Sequence, residues 1–251
     1  MTVTIPLATF SMSFIVLALN EEADIEDTVR TILEAVEDSR VSEYEIVLVN
    51  DGSTDGTGAI MEKLARRHDR IKVLHNEQNL GLGGAYKRGV HVAHCEYAML
   101  VPGDNCIPAS DITLALNHLG EADIILPYLT NPKLRPLGRR IASRAFTLII
   151  NTLFGLRIRY YQGMIPRREI LDTITISTDS YAFLAEAVVK LIKAGYSYVQ
   201  AGFPNTPVAG GHSVALQPKR LWGVFVAIVN LVREMHRPGA IPSTAASRNR
   251  P

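Results

Sequence analysis

Residues 47–57 read VLVNDGSTDGT, a β-branched apolar run that stops abruptly at a carboxylate and continues in small and hydroxyl residues. A carboxylate at a strand end, here Asp51, accepts hydrogen bonds from a donor edge such as that of a nucleobase. The glycines and hydroxyls behind it, Ser53 among them, leave room for a ligand and cap the next helix. Alone, the string is equally a well-made turn and N-cap. Three other groups stand at comparable positions. Leu19-Asn20-Glu21-Glu22 follows the first apolar run, Asn79-Leu80-Gly81-Leu82-Gly83-Gly84 opens a helical stretch, and Pro102-Gly103-Asp104-Asn105 closes a later apolar run. An acidic turn of the last kind offers hard oxygen to a divalent cation, and is also an ordinary turn. Arg139, Arg140 and Arg144 open a long apolar stretch. Their planar forks match phosphate oxygens, although a basic helix start read by itself is a solvated surface.

The elements that must position these groups follow from hydrophobic period. Residues 13–19 (SFIVLAL) form a strand, after which Ile25, Val29, Ile32, Leu33 and Val36 recur at helical spacing. Residues 44–49 form a second strand, and Ile60, Met61 and Leu64 resume the helical pattern. Strands at 71–74 and 97–101 bracket a helix that runs through Ala93. Strands alternating with helices at this spacing imply an α/β protein, a Rossmann-like three-layer α/β/α arrangement around a mostly parallel central sheet. Ligands of such sheets bind beyond the carboxyl ends of the strands, where Asp51 and Asp104 fall. The second half is less regular, with a strand at 123–127, an apolar helix at 141–154, a helix at 181–194, a strand at 197–201 and an apolar segment at 221–235. Residues 1–11 read as a loose leader, 12–236 as one domain, and the Pro, Ser, Ala and Arg-rich 237–251 as a disordered tail.

Composition narrows the function classes. The 251 residues carry 26 Lys plus Arg against 25 Asp plus Glu, so no basic excess argues for a nucleic-acid partner. Cys95 and Cys106 make neither a disulfide framework nor a Cys-X-X-Cys zinc site, and a reducing compartment is the default. No run reaches the ~20 apolar residues of a spanning helix. The apolar stretches 145–156 and 221–232 read either as buried core helices or as segments lying on a membrane surface.

In order and spacing, Asn20-Glu21, Asp51, Asn79-X-Gly81 and the acidic turn at Asp104 resemble the nucleotide-sugar site of inverting glycosyltransferases. The chain resembles glycosyltransferase family 2, the GT-A fold, and looks nearest to the polyprenyl- or dolichyl-phosphate sugar synthases, over about residues 14–213. The resemblance implies a nucleoside-diphosphate sugar held by Leu19, Asn20, Glu22, Asp51, Ser53, Asn79, Gly81, Gly84 and Asp104, with the nucleoside and diphosphate on the segments 18–22, Asp51 and 79–84. It implies a divalent cation, Mg²⁺ or Mn²⁺, at Asp104. The family's Asp-X-Asp reads Pro102-Gly103-Asp104 here, so one carboxylate is gone and the need for metal stays open; Asn105 offers a neutral oxygen beside it.

The acceptor divides the chemistry. A hydroxyl acceptor needs a general base, whereas a phosphate acceptor is already an anion. Hydroxyl-using relatives carry Glu-Asp where this chain has Leu184-Ala185, which leaves Glu186, or Asp179, as a base. A lipid-phosphate acceptor needs fixed cations instead, and Arg139, Arg140, Ser143 and Arg144 resemble the family's acceptor-phosphate segment. The family's Arg-X-X-Gly-X-Ser loop reads Val208-Ala209-Gly210-Gly211-His212-Ser213, without its arginine; His212 stands as a substitute ligand for metal or diphosphate. The expectation is an inverting sugar transfer to a polyprenyl phosphate on the cytoplasmic side, peripheral to the membrane. A hydroxyl-acceptor transferase and a non-catalytic nucleotide-sugar-binding subunit are the alternatives. A dinucleotide oxidoreductase is disfavoured, because no Gly-X-Gly-X-X-Gly turn follows the first strand.

Overall fold

A computed structural model describes residues 9–131, 136–159, 163–204 and 218–237. The first half alternates strictly: β1 (Phe10–Ala18), α1 (Ile25–Glu37), β2 (Val41–Asn50), α2 (Thr57–Ala65), β3 (Ile71–His75), α3 (Gly81–His91), β4 (Tyr97–Pro102) and α4 (Ala109–Leu116). The second half adds β5 (Ile124–Leu129), α5 (Leu137–Phe154), the short β6 (Ile165–Pro166) and α6 (Arg168–Leu171), then α7 (Phe183–Lys193), β7 (Tyr198–Phe203) and α8 (Pro218–Met235).

Four parallel strands run in the order β3-β2-β1-β4, and a second sheet runs β6-β5-β7. An antiparallel bridge between Tyr97 and Arg167 joins them, and β6 is antiparallel to β5. Two reversals restore direction, so β5 points the same way as β4, and β7 is parallel to β5. The loops after β1, β2, β3, β4, β5 and β7 therefore all leave from one edge. That common edge positions the site.

Alternation of side chains along the strands builds the two outer layers. Phe14 and Val16 of β1 pack with α1, α2 and α4 in one core, while Ile15 and Leu17 pack with α3, α5, α7 and α8 in the other. Both sheet faces are covered, which explains the unbroken apolar runs of the central strands.

Several boundaries differ from the sequence expectation. β1 begins at Phe10, whose ring meets Tyr97 edge-on, so the last two residues of the supposed leader are strand. Residues 1–8 and 238–251 lie outside the described residues. α4 was not foreseen, and α5 starts at Leu137 behind Pro136, one turn earlier than its apolar period indicates. Consequently Arg139 and Arg140 belong to its first turn. Among the described residues no helix is long and apolar enough to cross a membrane.

Candidate active site

At the carboxyl edge the loops after β1 and β2 are interlocked. Asn20 N–H donates to Ser53 Oγ at 3.0 Å, and Thr54 N–H returns a bond to Asn20 Oδ1 at 2.8 Å. Glu21 N–H donates to Thr57 Oγ1 at 2.8 Å, and Gly56 N–H to Glu22 Oε2 at 2.7 Å. Asn20 takes a left-handed φ of 59°, which asparagine tolerates better than most residues. Asn20, Glu22 and Ser53 thus shape the site by holding one another's loops, and Leu19 is exposed beside them.

Asp51 is 5% exposed, and its carboxylate ties the third loop to the sheet. Oδ1 accepts from Asn76 Nδ2 at 2.7 Å and from Leu80 N–H at 2.9 Å; Oδ2 accepts from Gly81 N–H at 3.1 Å. A carboxylate oxygen takes about two donors, so Oδ2 keeps one acceptor direction for a ligand. Gly52, with φ of 78°, lets this loop close: an added Cβ would stand 2.8 Å from Asn79 N.

The segment 79–84 is tied to the protein through its main chain. The amides of Leu80 and Gly81 serve Asp51, Gly81 also donates to Asn79 Oδ1 at 2.8 Å, and Gly83 N–H donates to Asp179 O at 3.0 Å. The amides of Leu80, Gly81 and Gly83 are thus met by protein acceptors. Small residues here serve close packing: a Cβ on Gly83 would stand 2.7 Å from Thr178 O, and one on Gly84 2.8 Å from Leu80 Cβ. Asn79 itself is exposed.

The acidic turn after β4 is fixed from three sides. Gly103 N–H donates to Leu17 O at 2.8 Å, Thr28 Oγ1 donates to Gly103 O at 2.9 Å, and Cys106 N–H donates to Asp104 Oδ1 at 3.3 Å. Asp104 shares this corner with Glu21. Burial, then the negative charge of Asp104, Asp24 and Asp55, pushes the Glu21 carboxyl up to about 7. The burial disfavours any charge, but the repulsion from Asp104, Asp24 and Asp55 marks a corner in which added positive charge is stabilised. The protein supplies few ligands: among the described residues no cluster of three or more His, Cys, Asp or Glu side chains is arranged to hold a metal. The Asn105 carboxamide oxygen is not one of them, since it accepts from Thr31 Oγ1 at 3.0 Å. His212 lies outside the described residues.

The two candidate bases have separate fates. Glu186 is 5% exposed and accepts from Ser177 N–H at 2.8 Å, Thr178 N–H at 3.0 Å and Lys190 Nζ at 2.7 Å. Burial alone would raise its pKa, but Lys190 and the two amides outweigh it and hold the carboxyl below its usual range. It therefore braces the loop ahead of α7, and the expectation of a base at this position is corrected. Asp179 stays solvent-accessible, paired with Lys87 at 2.8 Å and lying against the first turn of α3.

On α5, none of Arg139, Arg140 and Arg144 is in an ion pair among the described residues, and Arg140 Nε is enclosed without a hydrogen-bond partner. Ser143 O accepts from Thr147 Oγ1 at 2.9 Å within the helix. Sequence reasoning missed Asn76 and named Glu21 only within a motif, without a role in the site. Glu21 adjoins a residue singled out for the site, but its acidic surroundings come from three loops; Asn76 meets Asp51 across 25 positions, which no local pattern reveals.

A doubly covered parallel sheet whose carboxyl edge gathers an acidic turn, a strand-end aspartate and interlocked loops defines a GT-A glycosyltransferase domain. Solved structures agree: glucosyl-3-phosphoglycerate synthase from Mycobacterium tuberculosis, in complex with Mn²⁺, uridine diphosphate and phosphoglyceric acid, superposes with a TM-score of 0.68 at 16% identity, covering 94% of this chain and 80% of that one. The chain belongs to glycosyl transferase family 2, whose sequence profile matches residues 13–190. Dolichyl-phosphate beta-glucosyltransferase ALG5D of Trichomonas vaginalis is 33% identical over 112 residues, 43% of this chain and 34% of that protein. Glycosyltransferase AglD of Haloferax volcanii is 28% identical over 203 residues, 74% of this chain and 31% of that protein. The chain spans about a third of the length of these curated relatives.

Proposed function

We propose that the chain transfers a sugar from a nucleoside diphosphate to a polyprenyl phosphate with inversion, working as a peripheral protein on the cytoplasmic membrane face. The observation that carries the acceptor is the first half of α5, where three arginines have no carboxylate partner among the described residues and one enclosed Nε is unsatisfied there. A buried donor without an acceptor is costly, and a phosphate oxygen is the acceptor its fork best fits. The withdrawal of Glu186 into a buried ion pair points the same way, because an anionic acceptor needs no proton removed. Similarity to dolichyl-phosphate glucosyltransferases supports this acceptor class.

In this reading the interlocked loops 19–22 and 51–57 shape the nucleoside pocket, and Asp51 Oδ2 accepts from the base. Asp104 would hold a divalent cation beside the diphosphate, as fits a half-buried carboxylate in an electronegative corner. When bound, that cation neutralises charge on the departing diphosphate. The arginines of α5 orient the acceptor phosphate so that its oxygen approaches from the face opposite the leaving group. A hydroxyl acceptor with Asp179 as base is the second reading, favoured by that side chain's 59% exposure. Incubating purified protein with a panel of nucleoside-diphosphate sugars and either a short polyprenyl phosphate or soluble alcohols separates them. Product on the lipid phosphate alone is expected; product on alcohols alone overturns the phosphate reading.

A further inference from the structure

Among the described residues, eight of the ten exposed large hydrophobic side chains lie on α5 and α8. On α5 the pattern is systematic. At about 100° per residue, Leu137, Ile141, Leu148, Ile149 and Leu153 share one arc of roughly 160°, and the positions between them are Gly138, Ala142, Ala145 and Thr152. No charged residue falls in that arc, and Leu148 is 68% exposed. The opposite side carries Ile150 and Phe154 into the core, at 1% and 4% exposure. Arg139 and Arg144 stand at the two borders. A helix that is apolar toward solvent, buried behind and basic at its flanks has the profile of an interfacial helix.

Charge identifies the occupant. Between Asp123 and Glu169 the chain has nine Lys and Arg and no Asp or Glu. Arg167 and Arg168 are spent on Glu96 and Asp172, whereas Arg139, Arg140 and Arg144 have no such partner among the described residues. Self-association through this face by a two-fold axis would bring the same unpaired arginines together without an acid from the segment to meet them.

We infer that the outer face of α5 inserts its leucines and isoleucines into the headgroup boundary of an anionic lipid bilayer, with Arg139 and Arg144 at its borders against the lipid phosphates. The helix lies along the surface rather than across it, being only about 27 Å long. This goes beyond the acceptor reading and does not depend on it: a hydroxyl-acceptor transferase with this face binds membranes equally.

Sedimentation of the full chain with vesicles of phosphatidylcholine containing about 30 mol% phosphatidylglycerol, against pure phosphatidylcholine, tests it. Binding to the anionic vesicles is expected, weakened by salt. The double substitution Leu148→Asp, Ile149→Asp is expected to lower that binding about tenfold or more while nucleotide binding and thermal stability persist. Leu137→Asp, at another exposed position, is expected to act likewise. No binding, no preference for the anionic lipid, or binding retained in both variants overturns the inference. So does a dimer in light scattering that the substitutions dissolve, which assigns the face to a second copy. Unfolding by both variants also overturns it, because the face would then be covered by the chain itself.

Discussion

Lys190 Nζ on α7 lies 2.7 Å from Glu234 Oε1 on α8. The same ammonium bonds Glu186 Oε1 and Thr175 O, also at 2.7 Å each. One buried cation thus joins two helices and the loop in front of them. That loop, 177–180, lies against the first turn of α3, so the arrangement reaches the site. Breaking a buried pair from one side leaves a charge without compensation, which costs about 3–5 kcal/mol. Lys190→Ala is expected to lower stability by that order in urea unfolding. Glu234→Gln, at the more exposed partner, should cost less than about 1 kcal/mol.

The pH dependence of stability follows from Glu186. Its carboxyl is held below its ordinary value near 4.5. A depressed acid contributes stability that is full above the unfolded value and lost as pH falls through the folded one. Glu186→Gln is therefore expected to be less stable than the parent at pH 7, with the difference narrowing below about pH 4.5. Transfer by the folded variant at neutral pH should persist. Complete loss of transfer with an intact fold would restore Glu186 as a reacting group.

The parallel sheet was legible because its cause is local: fully covered strands leave continuous apolar runs, and β1, β2 and β4 each show one ending in a polar turn. That Asp51 and Asp104 fall at the carboxyl ends of strands was readable for the same reason, whereas the strand order β3-β2-β1-β4 was not. α5 was read short because Gly138, Arg139 and Arg140 interrupt its apolar period, although Pro136 immediately ahead is a helix-start signal. Glu186 stood as a candidate base only because it is the acid nearest to Leu184-Ala185, where the family motif is missing, and only burial shows that its i+4 neighbour Lys190 consumes it. The segment 79–84 was assigned to the nucleotide by the family resemblance alone, and the partners of its amides were not legible. They are the protein's own Asp51 and the carbonyl dipole of Asp179, contacts made across 30 and nearly 100 positions that no window of sequence contains.

Asp51 carries two duties, and two substitutions separate them. Asp51→Ala removes the acceptor of three protein donors and is expected to cost about 1–3 kcal/mol of stability. It should also weaken uridine diphosphate binding in calorimetry. Asn76→Ala loosens the same loop but keeps the carboxylate. If Oδ2 contacts the nucleotide, Asn76→Ala retains most of the affinity that Asp51→Ala loses. Equal losses in both would reduce Asp51 to a loop anchor.

Arg140→Ala and Arg144→Ala are expected to raise the KM for a phosphate acceptor about tenfold each, the loss of a charge-assisted bond, with little change in affinity for the nucleotide sugar. Steady-state kinetics varying each substrate in turn, in detergent rather than on vesicles, keeps this effect apart from membrane binding. Losses shared equally between the two substrates would return these arginines to the protein surface.

Metal dependence is the sharpest consequence of the turn at Asp104. Pro102 occupies the place of a second carboxylate, Asn105 is turned to Thr31, and no three-ligand cluster exists among the described residues. The free protein should therefore bind Mn²⁺ weakly, since hard divalent cations take six or more oxygens, and a single carboxylate leaves most of them to water. Diphosphate oxygens supply what the protein lacks. Calorimetric titration is expected to show Mn²⁺ affinity rising at least about tenfold when uridine diphosphate is present, and by thermodynamic reciprocity the nucleotide should gain the same factor from the metal. Asp104→Asn should abolish that coupling while leaving the thermal midpoint close to the parent's, because among the described residues this carboxylate is bonded by Cys106, through its N–H at 3.3 Å and its thiol, and an amide oxygen at the same place can accept both. Tight Mn²⁺ binding to the nucleotide-free protein would contradict the single-carboxylate site. Undiminished transfer in chelator would instead move the neutralisation of the leaving diphosphate to the cations of the chain.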